Sequence, residues 1–253
     1  MTKIAVAGAL GRMGTNIGRL VNEAPDLELV GGVDLVDGTF FGKTVVSSAR
    51  MDAFLKEKKP DVLIDFTVAA AAVENIKAAA ANNVALVVGT TGFSPEQGEV
   101  IRSAIEGNVP AVISSNFSVG VNIFWKLVRE AARQLGDYDI EVTEAHHRHK
   151  KDAPSGTAKT ILEILDQELG NREKVYGRVG DAPRKEGEIG VHAVRGGDIV
   201  GDHSVLFAGN YECIEVSHRA YDRAVFAQGA VRAARWVAGK EPRIYSMQEV
   251  LGL

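Results

Sequence analysis

The first 115 residues alternate between short runs rich in β-branched residues and longer, amphipathic, alanine-rich segments, and this alternation constrains the fold most strongly. It predicts strands at 3–8, 27–34, 61–66, 84–89 and 109–114, and helices at 11–24, 69–82 and 94–106. Alternation of this kind is typical of βαβ units, and strands that are apolar throughout are typical of a parallel sheet buried on both faces. We therefore expect an α/β domain of the doubly wound, Rossmann type.

The pattern changes after residue 116, where longer and more polar segments begin. We expect a helix at 119–135, a strand at 138–145, a helix opened by Pro154-Ser155-Gly156, a mobile loop at 170–187, strands at 189–195, 203–208 and 211–217, and helices at 223–238 and near 247. The last three strands are spaced like an antiparallel meander. The second domain is therefore predicted to be α+β, with a mainly antiparallel open sheet.

Composition excludes several classes of protein. Apolar residues make up 45% of the 253 residues and charged residues 25%, as in ordinary globular proteins. The net charge of -4 argues against a nucleic-acid partner. The single cysteine, Cys213, excludes an intrachain disulfide and fits a reducing compartment. No charged leader and no run of about 18 apolar residues is found, so we expect a cytoplasmic protein with no membrane partner.

A glycine-rich segment, Gly8-Ala9-Leu10-Gly11-Arg12-Met13-Gly14, directly follows the first predicted strand and opens a helix. Glycines there permit a tight turn and the close approach of a pyrophosphate, which the N–H groups of the helix start then bind. The GxxGxxG spacing is weak evidence alone, and a glycine turn that merely packs is the alternative. Asp34, 20 residues beyond Gly14 at the end of the second strand, is placed to accept hydrogen bonds from a ribose.

Two further loops are expected at the carboxyl edge of the sheet, where open α/β proteins bind ligands. Phe66-Thr67 ends the third strand, and Gly89-Thr90-Thr91-Gly92 follows the fourth. They are either simple turns or the floor of a nicotinamide site.

The charge near Asp34 bears on the choice of cofactor. A carboxylate favours a free 2′-hydroxyl over a 2′-phosphate, and the next residues, Leu35 and Val36, supply no cation. We expect NADH to be used at least as efficiently as NADPH. Arg12 is the one nearby cation that would tolerate NADPH.

Three of the six histidines fall in the segment Glu144-Ala145-His146-His147-Arg148-His149-Lys150-Lys151-Asp152-Ala153-Pro154-Ser155-Gly156-Thr157. Histidine can donate a proton near neutral pH, and lysine and arginine compensate carboxylates. The segment meets a predicted helix start at Ser155-Gly156-Thr157, which is suited to anions. It is therefore predicted to hold an acidic substrate and protonate it.

Two other interpretations of the histidine segment remain open. Three histidines with Asp152 nearby are compatible with a zinc site, although the adjacent His146 and His147 would point to opposite sides of an extended segment. A solvated basic loop is the second. We expect no metal.

Several segments, taken in order along nearly the whole chain, resemble the dihydrodipicolinate reductases of lysine biosynthesis, also called 4-hydroxy-tetrahydrodipicolinate reductases. They are the GRMG-type glycine loop, the GTTG turn, NFSVGVN at 116–122, EAHHRHKKDAPSGTA at 144–158, GGDIVG at 196–201 and Arg223. The histidine segment is highly specific to that family, whereas the glycine loop is not.

The resemblance implies a dinucleotide-binding domain at 1–115 completed by 223–253, and a substrate and oligomerisation domain at 116–222 that builds a homotetramer through its sheet. It implies that His146 donates the proton, that Lys150 binds and polarises the substrate, and that His147, Gly156 and Thr157 contact its carboxylates. It also implies a cofactor site for NADH or NADPH that, beyond the residues above, includes Ser115, Asn116, Phe117 and Arg223.

The expected reaction is the reduction of 4-hydroxy-tetrahydrodipicolinate to tetrahydrodipicolinate with loss of water. Two alternatives are a related amino-dicarboxylate enzyme, such as an aspartate dehydrogenase, and a non-catalytic NAD-binding sensor. The intact His and Lys cluster argues against a sensor, which has no use for a proton donor.

Overall fold

A computed structural model describes all 253 residues of the chain. The chain divides into two compact units. The first unit comprises Met1–Val119 and Ala224–Leu253, and the second unit comprises Gly120–Arg223. None of the helices combines the length and the apolar character needed to cross a membrane.

The first unit contains eight strands in one sheet. In chain order they are β1 Thr2–Ala7, β2 Leu27–Asp34, β3 Gly38–Phe40, β4 Lys43–Ser47, β5 Val62–Asp65, β6 Ala85–Val88, β7 Ala111–Ile113 and β13 Ile244–Tyr245. The helices are α1 Arg12–Glu23, α2 Met51–Lys58, α3 Ala69–Ala81, α4 Pro95–Ile105, α7 Ala224–Val237 and α8 Met247–Leu251.

The strand order β13-β7-β6-β5-β1-β2-β4-β3 makes this a doubly wound sheet. Every pair is parallel except the short β3–β4 hairpin. One apolar core packs α1, α7 and α8 against one face, and a second packs α2, α3 and α4 against the other. The predicted fold class is confirmed, and the strand order reverses between β1 and β5, the position where ligands bind in such sheets.

Residues 35–60 contain elements that the alternation did not predict. They form the β3–β4 hairpin, a single 3-10 turn and α2, which extend the sheet beyond β2. The strands have only three and five residues, and α2 has eight. Elements this short do not complete a recognisable hydrophobic period.

The second unit contains a five-stranded sheet covered on one face by two helices. Its elements are α5 Val119–Gln134, which begins in the first unit, β8 Asp139–His146, α6 Gly156–Leu169, β9 Lys174–Val175, β10 Ile189–Arg195, β11 Gly201–Ala208 and β12 Cys213–Ala220. The order is β12-β11-β8-β10-β9. A single apolar core joins α5 and α6 to the inner face of the sheet.

The expected antiparallel meander over 189–217 is wrong. β11 and β12 do form an antiparallel pair, but β10 pairs in parallel with β8, which lies between β10 and β11. The sheet is therefore mixed. Alternation of polar and apolar residues fixes which face of a strand is buried and does not fix its neighbour.

The segment 170–187, expected to be a mobile loop, is tied to the sheet by ion pairs. Arg178 pairs with the buried Glu188, and Arg184 pairs with Glu141 on β8 and, at 2.8 Å, with Asp139. The charges that suggested a solvated loop are therefore the groups that anchor it.

Candidate active site

The strand β8 places the first two functional side chains. Buried and half-exposed positions alternate strictly along it, so that Ile140, Val142, Glu144 and His146 all face the core. The two apolar residues pack in the core of the second unit. Glu144 and His146 therefore lie on the same face of β8 as these apolar residues, at the end of the strand.

Glu144 is buried, with 1% of its surface exposed, and its carboxylate accepts four hydrogen bonds. Arg195, at the end of β10, donates through both terminal nitrogens at 2.7 and 2.8 Å. His146 Nδ1 lies 2.6 Å from Oε2, and the backbone N–H of Ser155 lies 3.0 Å from Oε1. Because the carboxylate only accepts, Nδ1 of His146 is the donor.

His146 is itself buried, and its other ring nitrogen lies near Gly201, the first residue of β11. A Cβ built on Gly201 would lie 3.1 Å from His146 Nε2. Burial lowers the pKa of His146, while the hydrogen bond that His146 donates to Glu144 and the negative charge of that carboxylate act to raise it. The imidazole is therefore held with Nδ1–H toward Glu144, and burial favours its neutral form.

Ser155 connects this pocket to the start of α6. Its hydroxyl caps the helix by accepting from the N–H of Ala158, and it lies 3.1 Å from Nε2 of His203 on β11. Burial lowers the pKa of His203 to about 3. Its ring meets the His146 ring edge-on, with centroids 5.1 Å apart. Ser155 was predicted to bind substrate, and its hydroxyl also contributes to the helix cap and lies beside His203.

The loop after β8 carries Lys150, whose ammonium lies 2.8 Å from Asp152. The side chain of Lys150 is 20% exposed. The loop is held by the turn before β11, since His146 O accepts from Gly196 N–H at 2.9 Å and Gly197 O accepts from Arg148 N–H at 3.2 Å. Through these two backbone hydrogen bonds, the GGDIVG turn at 196–201 fixes the backbone of the histidine segment.

Two other histidines of this loop and the start of α6 lie close by in the chain. The rings of His147 and His149 lie 6.3 Å apart. Nothing lies within 4 Å of a Cβ built on Gly156, the first residue of α6, and Thr157 O accepts from the indole of Trp125 at 3.4 Å. The helix start is therefore open where an anion would approach it. The described residues include no group of three or more His, Cys, Asp or Glu arranged to hold a metal ion.

In the first unit, the glycine loop is a tight turn whose backbone packing requires glycine. A Cβ on Gly14 would lie 2.0 Å from Gly8 O, which only glycine avoids, and Gly8 has a positive φ of 73°. Gly11 begins α1 without a capping side chain. The N–H groups of Arg12 and Met13 in the first turn are thus not capped by the protein.

Asp34 lies at the end of β2, and each of its carboxylate oxygens accepts one backbone N–H. The donors are Leu10 at 2.8 Å and Leu35 at 2.7 Å. The carboxylate therefore ties the glycine loop to the end of β2 and keeps lone pairs for a ribose. Leu35 and Val36 are strongly exposed beside it.

Asp65, which the sequence analysis missed, joins the two other loops of this edge. It is fully buried at the end of β5. Its Oδ1 accepts from the hydroxyls of Thr67 at 2.8 Å and Thr90 at 2.9 Å, and its Oδ2 accepts from Asn75 at 2.7 Å. Thr67 and the GTTG turn are thereby brought together.

Phe66 closes the floor between these loops. A Cβ on Gly89 would lie 2.2 Å from the Phe66 ring, which packs 5.6 Å from that of Phe117. Ser115, Asn116 and Phe117 follow β7 at this edge, whereas Thr91 is exposed. Arg223 ends the second unit immediately before α7, so it does not belong to the unit that carries the other predicted cofactor residues.

Comparison with known proteins gives the family. Residues 2–117 match the family described as dihydrodipicolinate reductase, N-terminus, and residues 120–251 match dihydrodipicolinate reductase, C-terminus. The chain belongs to the dihydrodipicolinate reductase family. Curated relatives named 4-hydroxy-tetrahydrodipicolinate reductase include one from Methanoculleus marisnigri, 82% identical with 100% of both chains covered. Another, from Methanoregula boonei, is 68% identical and covers 100% of this chain and 99% of its own.

Solved structures agree with this assignment. A dipicolinate-bound dihydrodipicolinate reductase from Paenisporosarcina sp. TG-14 superposes with a TM-score of 0.82 at 25% identity, covering 98% of each chain. An amine dehydrogenase from Mycobacterium smegmatis reaches 0.65 at 13% identity, covering 97% of this chain and 95% of its own, and shares the fold alone.

Three residues of the histidine pocket were missed by sequence reasoning in this reductase. Glu144 belongs to the histidine segment without a predicted role, and the sequence pattern predicts no function for Arg195 or His203. Glu144 lies near the end of the predicted strand and two residues before His146, so that the two side chains would share a face if the strand continued by one residue; this spacing was the available signal for Glu144. Arg195 comes 49 residues after His146, and no local sequence pattern indicates that the two lie in the same site.

The depressed pKa of His203 makes stability depend on pH. The unfolded chain protonates this histidine near 6.5 and the folded chain only near 3, so the free energy of unfolding falls as pH falls from 6.5 toward 3. His203 contributes a loss of up to about 1.4 kcal/mol per pH unit in that window. We expect His203→Gln to be less sensitive to a change from pH 6.5 to 5, as measured by urea unfolding. The exposed His149, changed to Gln, is the control. If the free energy of unfolding of His203→Gln falls as much as that of the parent protein from pH 6.5 to 5, the low pKa of His203 is wrong.

Proposed function

We propose that this chain reduces 4-hydroxy-tetrahydrodipicolinate to tetrahydrodipicolinate in lysine biosynthesis, consuming NADH or NADPH and one proton and releasing water. Close relatives across the full chain carry the name of this reductase. The observation in the structure that carries the proposal is the His146 imidazole. It is held through Nδ1 by a buried carboxylate, in a pocket that also contains Lys150 and an open helix start.

The second unit supplies the groups that a dicarboxylate requires. Lys150 provides a compact ammonium that binds and polarises the substrate, exchanging its present partner Asp152 for a substrate oxygen. His147, with the first residues of α6, Gly156 and Thr157, contacts the carboxylates. Ser155 positions that helix start through its cap.

His146 delivers the proton through Nε2. Burial keeps its pKa low in the ligand-free pocket. A bound dicarboxylate adds negative charge nearby, which raises the pKa and favours the imidazolium. His146 therefore takes up its proton as the substrate binds and donates it as the hydride arrives.

The first unit holds the cofactor. The residues that we propose to bind it are Gly8, Gly11 and Gly14 with Arg12 and Met13 at the pyrophosphate, Asp34 at the ribose, and Phe66, Thr67, Gly89, Thr90, Thr91, Ser115, Asn116 and Phe117 at the carboxyl edge. The nicotinamide supplies the hydride. NADH should serve at least as well as NADPH, because Asp34 repels a 2′-phosphate and the exposed Leu35 and Val36 supply no cation. As an enzyme of amino-acid biosynthesis, the protein is expected to work in the cytoplasm.

Reductase activity is tested by the oxidation of NADH and of NADPH with freshly generated substrate, against oxaloacetate plus ammonia as the rival. We expect His146→Gln to lower kcat by about 10² to 10⁴ with little change in KM, because general acid catalysis acts only in the transition state. Lys150→Ala should raise KM and lower kcat, since Lys150 pairs with the substrate in both states, and Lys150→Arg should rescue it partly.

The matched control is Lys151→Ala, because Lys151 is exposed on the same loop. It should keep near-parental activity, and all variants should bind NADH normally, as fluorescence titration would measure. Full activity of His146→Gln would refute its role as proton donor. Activity with oxaloacetate and ammonia alone would overturn the proposed substrate.

The protein is also proposed to be a homotetramer assembled through the sheet of the second unit. The edge strand β12 is largely exposed, and unpaired strand edges and faces are usually covered. Light scattering should give about four times the chain mass of 27.0 kDa. A monomer at micromolar concentration contradicts this proposal.

A further inference from the structure

Two charges of opposite sign, Glu144 and Arg195, lie directly behind His146. Glu144 contacts His146 Nδ1 at 2.6 Å, and the same carboxylate receives both terminal nitrogens of Arg195 at 2.7 and 2.8 Å. The glutamate side chain is fully buried, and that of Arg195 is 20% exposed. His146 therefore faces a carboxylate whose charge is already largely offset.

The other polar groups around His146 and its neighbour His203 come from four further places in the second unit. The loop after β8 contributes Lys150, which is paired with Asp152. β11 contributes His203, which is neutral at pH 7 because burial lowers its pKa to about 3, and β12 contributes His218, whose pKa burial also lowers. α6 contributes the neutral hydroxyl of Ser155. Glu144 is thus the one anion bonded to the imidazole.

We propose that Glu144 and Arg195 are positioning residues that act as a charge-balanced pair, with Glu144 orienting His146 and strengthening its hold on a proton while Arg195 limits that hold. The proposal deepens the proposed function and rests on His146 being the proton donor. Neither residue needs to touch the substrate.

Orientation follows from the hydrogen bonds. A carboxylate accepts only, so Glu144 fixes the proton on Nδ1 and leaves Nε2 as the nitrogen that transfers a proton. Arg195 fixes the carboxylate in turn, because its planar fork binds both oxygens at once. It also donates to the carbonyl oxygens of Asp152 and Val194, each at 2.7 Å, so the fork is anchored to two chain segments.

Balance follows from the charges. A buried glutamate without a cation would hold the imidazolium so firmly that it would be a poor acid. Without the glutamate, the pKa of His146 would fall further, since Lys150 and Arg195 both act to lower it and nothing would oppose them. The pair therefore keeps the pKa of His146 between the values that either charge alone would give.

The test is the titration of His146 by NMR of protein labelled with ¹³C-histidine, with the resonance assigned by its absence in His146→Gln. We expect Glu144→Gln to lower the pKa of His146 by about one unit or more, and Arg195→Gln to raise it by roughly one unit. The alkaline limb of kcat/KM against pH should move in the same two directions, because kcat/KM reports the free enzyme. A merely structural role predicts no such opposition.

Two further variants guard against loss of folding. Arg195→Lys keeps the charge and should leave the pKa of His146 near its parental value, and the double variant Glu144→Gln with Arg195→Gln should fall between the two single variants. The matched control is Arg129→Gln, which removes a partly buried partner of Glu168 in the same unit. It should shift neither the titration nor the pH profile.

Shifts of the pKa of His146 in opposite directions in the two single variants support the pair. So does the expected order, in which Arg195→Lys stays near the parental pKa and the double variant falls between the two single variants. Shifts of the same sign, or no shift in any variant that folds, overturn it. The NMR titration needs no turnover. Absence of reductase activity in the parent protein would therefore refute the proposed function while the titration still decides on the pair.

Discussion

The second unit depends on one buried carboxylate, that of Glu144. Its four hydrogen bonds join the end of β8, the end of β10 and the residue that caps α6. A buried charge is tolerated only where it is paired and hydrogen bonded, so these contacts must all form together. The same set of bonds orients His146, ties the helix start at Ser155 to β8, and adds a side-chain link between the paired strands β8 and β10.

The first unit uses a second buried carboxylate in a different way. Asp65 accepts from two threonine hydroxyls, a backbone N–H and an asparagine amide, with no cation bonded to it. These neutral donors belong to the loops after β5 and β6 and to α3, which meet at the carboxyl edge of the sheet. Asp65 therefore organises the floor of the proposed cofactor site, whereas Glu144, balanced by Arg195, acts on a titrating group.

The sequence predicted those parts of the fold that a local pattern encodes. The glycine loop and Asp34 were found because their spacing relative to two strands is itself the signal, and the histidine segment was found because its residues are contiguous. The partner of β10 and the role of Arg195 were not found, because both depend on which strands become neighbours. The ion pairs of 170–187 were missed for the same reason, since Glu141 and Arg184 are far apart in the chain.

A crystal structure with NADH and pyridine-2,6-dicarboxylate tests most directly whether residues 144–157 hold a dicarboxylate against His146. A relative with dipicolinate bound has the same fold. We expect one carboxylate within hydrogen-bond distance of Lys150 and of the N–H groups of Gly156 and Thr157, with His146 Nε2 facing the ligand. A dicarboxylate bound without contact to the His146–Lys150 segment would contradict it.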